Sequence, residues 1–209
     1  MRILAIETAS EACSIALFED ASLVARDHRV IGRGHAEALV PMIAALPDKG
    51  RSARIYVSLG PGSFTGVRIG LATARALGFA WGSEVLGYPT LALIAAQAHA
   101  AQPGQPVTVC TNGGHGEWFL QDFEADGSAH GAVRSLTPEA AVAAGGQLVL
   151  AGNRAQDLAA RLGDQRQVLD LLPDAAEITL LPPMLLSAHL APIYGRGPDA
   201  TPMAERVQA

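Results

Sequence analysis

The sequence predicts an α/β protein in which one βββαβα unit occurs twice. Short apolar runs rich in β-branched residues alternate with alanine- and leucine-rich stretches of helical length. A linker with two prolines and one glycine, Gln102–Pro106, divides the 209-residue chain near its middle. Because the elements follow the same order on both sides, we predict a first half at 1–101 and a second at 102–186. A C-terminal segment, 187–209, is expected to return to the first half.

The first half is predicted to begin with three strands joined by short turns. A helix from His35 to Leu46 follows, and Pro41 is expected to kink or divide it. After the next strand and helix come a short strand near 85–86 and a helix at 90–101. The predicted strands and their turns are 3–6, a polar turn at 8–11, 13–18, a tight connection at 19–21, and 23–30.

The segment Arg54–Trp81 carries the most distinctive local pattern. It reads as a strand over Arg54–Leu59, a glycine-rich turn, and a helix in which Ser63 or Thr65 serves as N-cap. The glycines are spaced GxGxxxG and no Lys-Ser/Thr pair follows, so the turn matches neither a P-loop nor a dinucleotide fingerprint. A structural turn is therefore favoured over a phosphate site.

Small residues recur at every fourth position of this helix, at Gly66, Gly70, Ala74 and Gly78. Such a ridge lets another backbone approach closely. The ridge can pack on the chain's own sheet or face a partner, and the sequence leaves both readings open.

The second half repeats the order of the first. A helix is predicted to open at Thr137-Pro138, with Thr as cap and Pro at the first helical position. The other predicted elements are strands at 107–110, 117–123, 132–136 and 148–150, a hairpin turn at 125–127, a turn at Gly152 and a helix ending near Arg161.

A duplicated βββαβα unit is the plan of the actin-like, or ribonuclease H-like, fold shared by sugar kinases and the Hsp70 ATPase. In that fold the first turn of each half grips phosphates and uses a carboxylate to hold a metal-bound water. Here the first turn carries Glu7 and Thr8, whereas the second, at 111–116, contains no acid. With the turn at Gly152 and Asn153, these residues form at most a vestigial nucleotide site.

Composition excludes several classes of function. A net charge of −5 disfavours a stand-alone nucleic-acid binder, which needs a basic face. The two cysteines, Cys13 and Cys110, lie in apolar runs and are interpreted as reduced core thiols. No apolar run has the length of a membrane span or the pattern of a signal peptide, so a cytoplasmic protein without membrane contact is expected.

No histidine pair has the spacing of a metal site. His28 with His35, and His115 with His130, are spaced unlike metal ligands, and Ala95 stands four residues before His99. We predict no metal in this chain.

The run Ser58–Ala80, SLGPGSFTGVRIGLATARALGFA, resembles the hallmark of the TsaB (YeaZ-like) family of tRNA threonylcarbamoyladenosine biosynthesis. Supporting matches are ILAIETAS at the N-terminus, GHAEALVPMI around His35, and PIYGRGPDA at 192–200. The resemblance implies a non-catalytic relative of the modification enzyme TsaD, with no cofactor of its own, because ATP is used by the complex. It also implies a TsaD-like partner, a TsaE-like ATPase, tRNA contact only through the complex, and a homodimer when the chain is alone.

The resemblance places the pairing surface on two helices of the first half. The candidate interface residues are His35, Leu39, Met42, Ile43, Phe64, Thr65, Gly66, Val67, Gly70, Leu71 and Ala74. The chain departs from the family in a short 47–53 segment and in Thr111–Gly113, where the family commonly has Asp-Ala-Arg.

Two enzymatic alternatives remain at this stage. One is a small actin-like ATPase or kinase, supported by Glu7 and the Gly60 loop. The other is a metallopeptidase of the glycoprotease type, which requires metal ligands that the histidine spacing does not supply.

Overall fold

Two five-stranded mixed sheets form the framework in the computed structural model, which describes residues 1–163 and 165–195. The strands are β1 Arg2–Glu7, β2 Ala12–Glu19, β3 Ser22–Val30, β4 Arg54–Ser58, β5 Glu84–Tyr88, β6 Val107–Gly114, β7 Glu117–Phe123, β8 Ala129–Leu136, β9 Val149–Ala151 and β10 Gln167–Leu169. The α-helices are α1 His35–Ala45, α2 Phe64–Trp81, α3 Thr90–Ala101, α4 Pro138–Ala144 and α5 Ala155–Leu162. Short 3-10 helices lie at Pro47–Gly50, Ala175–Leu180 and Pro183–Leu185.

The two sheets have the same topology. Their strand orders are β3-β2-β1-β4-β5 and β10-β9-β6-β7-β8, so each strand of the first sheet has a counterpart in the second. In each sheet the first three strands pair antiparallel, and the last two continue parallel to the first. The predicted duplication is confirmed, and β10, which the sequence reading missed, completes the second copy.

The helix caps follow the sequence signals. Ser63 caps α2 by accepting a hydrogen bond from the Gly66 N–H, and Thr137 caps α4 by accepting one from Ala140. The prediction that Pro41 divides α1 is wrong, because the helix runs unbroken through it. Pro41 removes the hydrogen bond to the carbonyl of Glu37, which is exposed and can be solvated instead.

Three apolar clusters hold the layers together. The largest lies between the sheets and surrounds α3, whose residues from Thr90 to Ala95 are all buried. A second packs α1 and α2 on the outer face of the first sheet, and a third packs α4 and α5 on the second. The buried N-terminal part of α3 therefore joins the two halves through one continuous core.

The last described residues run along the first half. The 3-10 helix at Ala175–Leu180 contacts β1, β2 and β3, and Ser187 and Gly87 exchange two backbone hydrogen bonds. The Ile193 N–H donates to the Leu59 carbonyl at 2.7 Å. Residues 196–200 of the PIYGRGPDA motif lie outside the described residues. Within the described part, no helix combines the length and hydropathy needed to cross a membrane.

Candidate functional site

A cavity of about 940 Å³ opens between the two halves. The turn after β1 contributes Ala9, Ser10 and Glu11, and the end of β6 with the first residue after it contributes residues 111–115. The start of α2, Asn153 before α5, and residues 171–173 and 192–195 also line it. The cavity therefore occupies the place between the two first turns where this architecture holds nucleotide phosphates.

Glu7 does not face this cavity. Its side chain is 0% exposed, with Oε1 accepting the Ala9 N–H at 2.6 Å and Oε2 lying 3.3 Å from the Tyr88 hydroxyl. Burial raises the pKa of Glu7 from 4.5 to about 7, against opposing hydrogen bonds from Ala9 and Ser58. Burial and the nearby Glu7 carboxyl also raise the pKa of Tyr88 well above its ordinary value. The predicted phosphate-side acid is thus part of the core.

Thr8 is likewise turned inward, toward α2. Its hydroxyl donates to the Gly66 carbonyl at 2.8 Å. A Cβ at Gly66 would overlap the Thr8 carbonyl oxygen, and a Cβ at Gly70 would overlap the Thr8 hydroxyl. The small-residue ridge of α2 therefore packs on the chain's own sheet, where it lets the helix approach the turn after β1.

Asn153 joins the two halves across the cavity. Its Nδ2 donates to both carboxylate oxygens of Glu11, at 2.9 and 2.7 Å, and its Oδ1 accepts the Asn112 N–H at 3.0 Å. Gly152 beside it packs against β6, because a Cβ there would overlap the Cys110 carbonyl oxygen. Of the four predicted vestigial nucleotide residues, only Asn153 lines the cavity.

The predicted nucleotide residues do not form a phosphate grip in this arrangement. Glu7 is enclosed, the Thr8 hydroxyl is engaged with α2, and the Asn153 amide is bonded to a carboxylate. The carboxylate of Glu11, rather than that of Glu7, faces the cavity.

Most residues predicted to face a partner are buried inside the chain. Only Phe64 and Thr65 of that set are exposed. The apolar stripe of α1, including Leu39 and Met42, belongs to the core cluster under the first sheet. The sequence interpretation is corrected for the predicted interface residues that are buried, because a helix first buries its apolar stripe against its own sheet. The buried residues of the predicted interface are His35, Leu39, Met42, Ile43, Gly66, Val67, Gly70, Leu71 and Ala74.

His35 is one of these buried residues. It is the first residue of α1, and its Nε2 lies 3.2 Å from the Ala12 carbonyl oxygen at the start of β2. The imidazole therefore fixes the entry of α1 against the sheet.

The opposite faces of α1 and α2 present apolar side chains to solvent. Val40 is 56% exposed and Phe79 is 94% exposed, on two helices that contact each other. The sequence reading missed both residues because neither belongs to the main apolar stripe. Their position outside that stripe is itself the signal that could have identified them.

An aromatic and cationic cluster lies at the opening of the cavity. The Arg68 guanidinium stacks 3.3 Å from the centre of the Phe64 ring and donates to the Tyr194 hydroxyl at 3.0 Å. Phe64 is 58% exposed and Tyr194 53% exposed, with ring centres 5.9 Å apart. Cation–π stacking keeps the guanidinium over the ring at the surface.

No cluster of metal-ligating side chains occurs within residues 1–163 and 165–195. His99, on α3, has its pKa lowered by burial, against the raising effect of a backbone hydrogen bond with Gln105. Its surroundings are those of a half-buried structural histidine.

Fold and cavity together define a protein of the duplicated actin-like class in which the acid at the end of β1, Glu7, is enclosed in the core. Residues 29–167 match the family model of TsaD, tRNA N6-adenosine threonylcarbamoyltransferase. The chain belongs to this family and within it is TsaB/YeaZ-like, as the sequence motifs indicated.

Individual relatives agree with this assignment. The chain is 35% identical over 131 residues to the tRNA threonylcarbamoyladenosine biosynthesis protein TsaB of Escherichia coli, a match covering 60% of this chain and 56% of that protein. An uncharacterised protein of Mycobacterium bovis is 31% identical over 97% of this chain and 95% of its own length. The structure of YeaZ from Pseudomonas aeruginosa superimposes with a TM-score of 0.74 at 26% identity, covering 92% of this chain and 99% of that one.

Proposed function

We propose that this chain is a non-catalytic subunit in tRNA threonylcarbamoyladenosine biosynthesis, which binds and activates a TsaD-like protein together with a TsaE-like ATPase. The observation that carries the proposal is the enclosure of Glu7 in a chain related to TsaD. The Glu7 carboxylate, which would support phosphate chemistry in this fold, is instead held in a buried hydrogen-bonded network. A subunit of this kind contributes by pairing, and tRNA is met only through the complex.

The exposed side of α1 and α2 is the proposed pairing surface. Phe79 and Val40 are exposed apolar side chains on these two helices, and a partner that covers them removes apolar surface from water. Phe64 and Thr65 continue it at the start of α2. The buried stripe of the same helices supports the surface from below, because it fixes both helices on the first sheet.

Reconstitution tests the function directly. The purified chain is combined with TsaD-like and TsaE-like proteins, the adenylate-forming enzyme, ATP, threonine, bicarbonate and unmodified tRNA, and the modified nucleoside is quantified. We expect modification only when this chain is present, and no modification by this chain alone. Equal modification without it would refute the proposal.

A surface variant tests the pairing face. Phe79→Glu should weaken binding to the TsaD-like partner by at least about tenfold, because burying a charge without a partner is costly. Leu148→Glu is the matched control, since Leu148 is also an exposed apolar residue, 54% exposed, but lies in the second half. Equal loss in both variants, measured by calorimetry, would place the interface elsewhere.

The same surface is proposed to pair two copies when no partner is present. Light scattering at micromolar concentration should give a dimer for the wild type and for Leu148→Glu, and a monomer for Phe79→Glu. A monomeric wild type would contradict homodimer formation while leaving the reconstitution result unaffected.

A further inference from the structure

The cavity between the halves has apolar inner walls. Ile94 of α3 and Phe119 of β7 line it and are almost completely buried, and Leu171 and Ile193 line it from the C-terminal region. A cavity of about 940 Å³ lies within the size range of small-molecule sites, which are mostly apolar with a few polar groups that set orientation.

The described lining of the cavity contains one acidic and one cationic side chain whose hydrogen bonds differ. Among these lining residues, Arg68 carries the guanidinium, Glu11 carries the carboxyl group, and His115 is an exposed imidazole. Both carboxylate oxygens of Glu11 accept from Asn153. Arg68 donates one hydrogen bond to Tyr194 and retains further N–H donors of its guanidinium at the opening.

We propose that this cavity is a binding site for a small organic anion with an aromatic or aliphatic body. The body lies against Ile94 and Phe119, and the anionic head lies at the guanidinium of Arg68, beside Phe64 and Tyr194. The Glu11 carboxylate repels an anionic head, so the head is expected at Arg68 instead. The site shares Phe64 with the proposed pairing surface, but its test does not depend on the function proposed above.

Charge placement distinguishes this ligand from a nucleotide. A nucleoside triphosphate would bring several negative charges into a cavity that also contains the Glu11 carboxylate, whereas a monoanion brings one, which Arg68 can pair. Glu7 is enclosed, and Glu11, the acid of the first turn that lines the cavity, already accepts from Asn153 at both carboxylate oxygens. The chemistry of the walls therefore selects an amphipathic monoanion.

Two fluorescent probes that share one apolar body test the proposal on the full chain. They are 8-anilino-1-naphthalenesulfonate, which carries one negative charge, and N-phenyl-1-naphthylamine, which carries none. We expect saturable binding of the anionic probe with one site per chain. Arg68→Glu should weaken it by about tenfold, as expected for loss of a charge-assisted contact, and should leave the uncharged probe unchanged.

Arg75→Glu is the matched control. Arg75 lies two turns further along α2, outside the cavity, and donates to the Leu190 carbonyl at 2.7 Å, so it also links α2 to the C-terminal segment. It should change the affinity of neither probe. A third variant, Ser10→Trp, fills the cavity from the turn after β1 and should weaken both probes, with folding checked by circular dichroism.

Several outcomes would overturn the proposal. One is the absence of saturable binding to the wild type, and another is an equal effect of Arg68→Glu and Arg75→Glu on the anionic probe. A third is undiminished binding of both probes to Ser10→Trp, which would mean that the probes bind outside the cavity. Displacement of the anionic probe by ATP with Mg²⁺ would also overturn it, because the cavity would then be a nucleotide site.

Discussion

Replacing Glu7 by Gln should stabilise the protein at neutral and alkaline pH. Gln has the shape of the buried carboxyl and keeps an oxygen to accept the Ala9 N–H. Its amide can donate to the Tyr88 hydroxyl, which can itself donate to the Ile6 carbonyl at 3.0 Å. The substitution therefore removes ionisation while preserving the hydrogen bonds.

The magnitude follows from proton linkage. The unfolded chain loses the Glu7 proton near pH 4.5, whereas burial raises the folded pKa to about 7. Between these values the folded chain binds more protons, so the free energy of unfolding falls as pH rises. Above pH 7 the loss is complete and amounts to about 3 kcal/mol, since one pKa unit corresponds to about 1.4 kcal/mol. For a chain of this length, that is a difference in Tm of about 6 to 12 °C.

Unfolding by urea and by heat, measured from pH 5 to pH 8, gives the test. Wild type and Glu7→Gln should nearly coincide at pH 5 and diverge by pH 8, with the variant more stable. Glu139→Gln is the control, because its own backbone N–H and Arg161 lower the pKa of exposed Glu139. The contribution of Glu139 changes only below its unfolded pKa of 4.5, so this variant and the wild type should run parallel from pH 5 to pH 8. Parallel curves for wild type and Glu7→Gln across this range would refute the assigned role of burial.

Two further predictions concern close packing and the bridge between the halves. Gly66→Ala should destabilise by about 2 to 3 kcal/mol despite better helix propensity, because its Cβ would overlap the rigid Thr8 carbonyl oxygen. Gly78→Ala should cost less, since its Cβ would overlap a side-chain methyl of Val85 and would lie 3.4 Å from the nearest backbone atom, the Ser83 oxygen. Urea unfolding should give this order, and the reverse order would contradict the assigned contacts. Asn153→Asp should destabilise by about 1 to 3 kcal/mol by placing a second carboxylate against Glu11, and adding Glu11→Gln should restore much of the loss in a double-mutant cycle. Additive effects would mean that the two side chains do not interact.

The duplicated fold was predictable because it rests on local patterns. Hydrophobic periodicity and cap residues located most strands and helices, and both Ser63 and Thr137 cap as the sequence indicates. β10 was missed because it has three residues, Gln167–Leu169, and only two of them are apolar. So short a run carries no period, and its pairing with β9 decides that it is a strand.

The site was less predictable because its contacts are distant in sequence. Glu11 and Asn153 are separated by 142 positions, and no spacing rule connects them. The partner residues were misassigned for a different reason. An apolar stripe on a helix has the same sequence pattern whether it packs on its own sheet or on another chain. In this protein the stripe is buried against the chain's own sheet. The surface left for a partner is marked by apolar residues outside the stripe, such as Phe79.

The contacts of the turn after β1 explain why Glu7 does not reach the cavity. Glu7 accepts the N–H of Ala9, and the Ala9 carbonyl in turn accepts the Ser63 N–H at the N-cap of α2, so both contacts hold the turn in place. The carboxylate that faces the cavity is Glu11, and Asn153 of the other half donates to both of its oxygens. Glu7 points inward as long as the turn and α2 keep their close contact. Turning it toward the cavity would require rebuilding the contact that Gly66 makes possible, and with it the packing that positions the proposed pairing face.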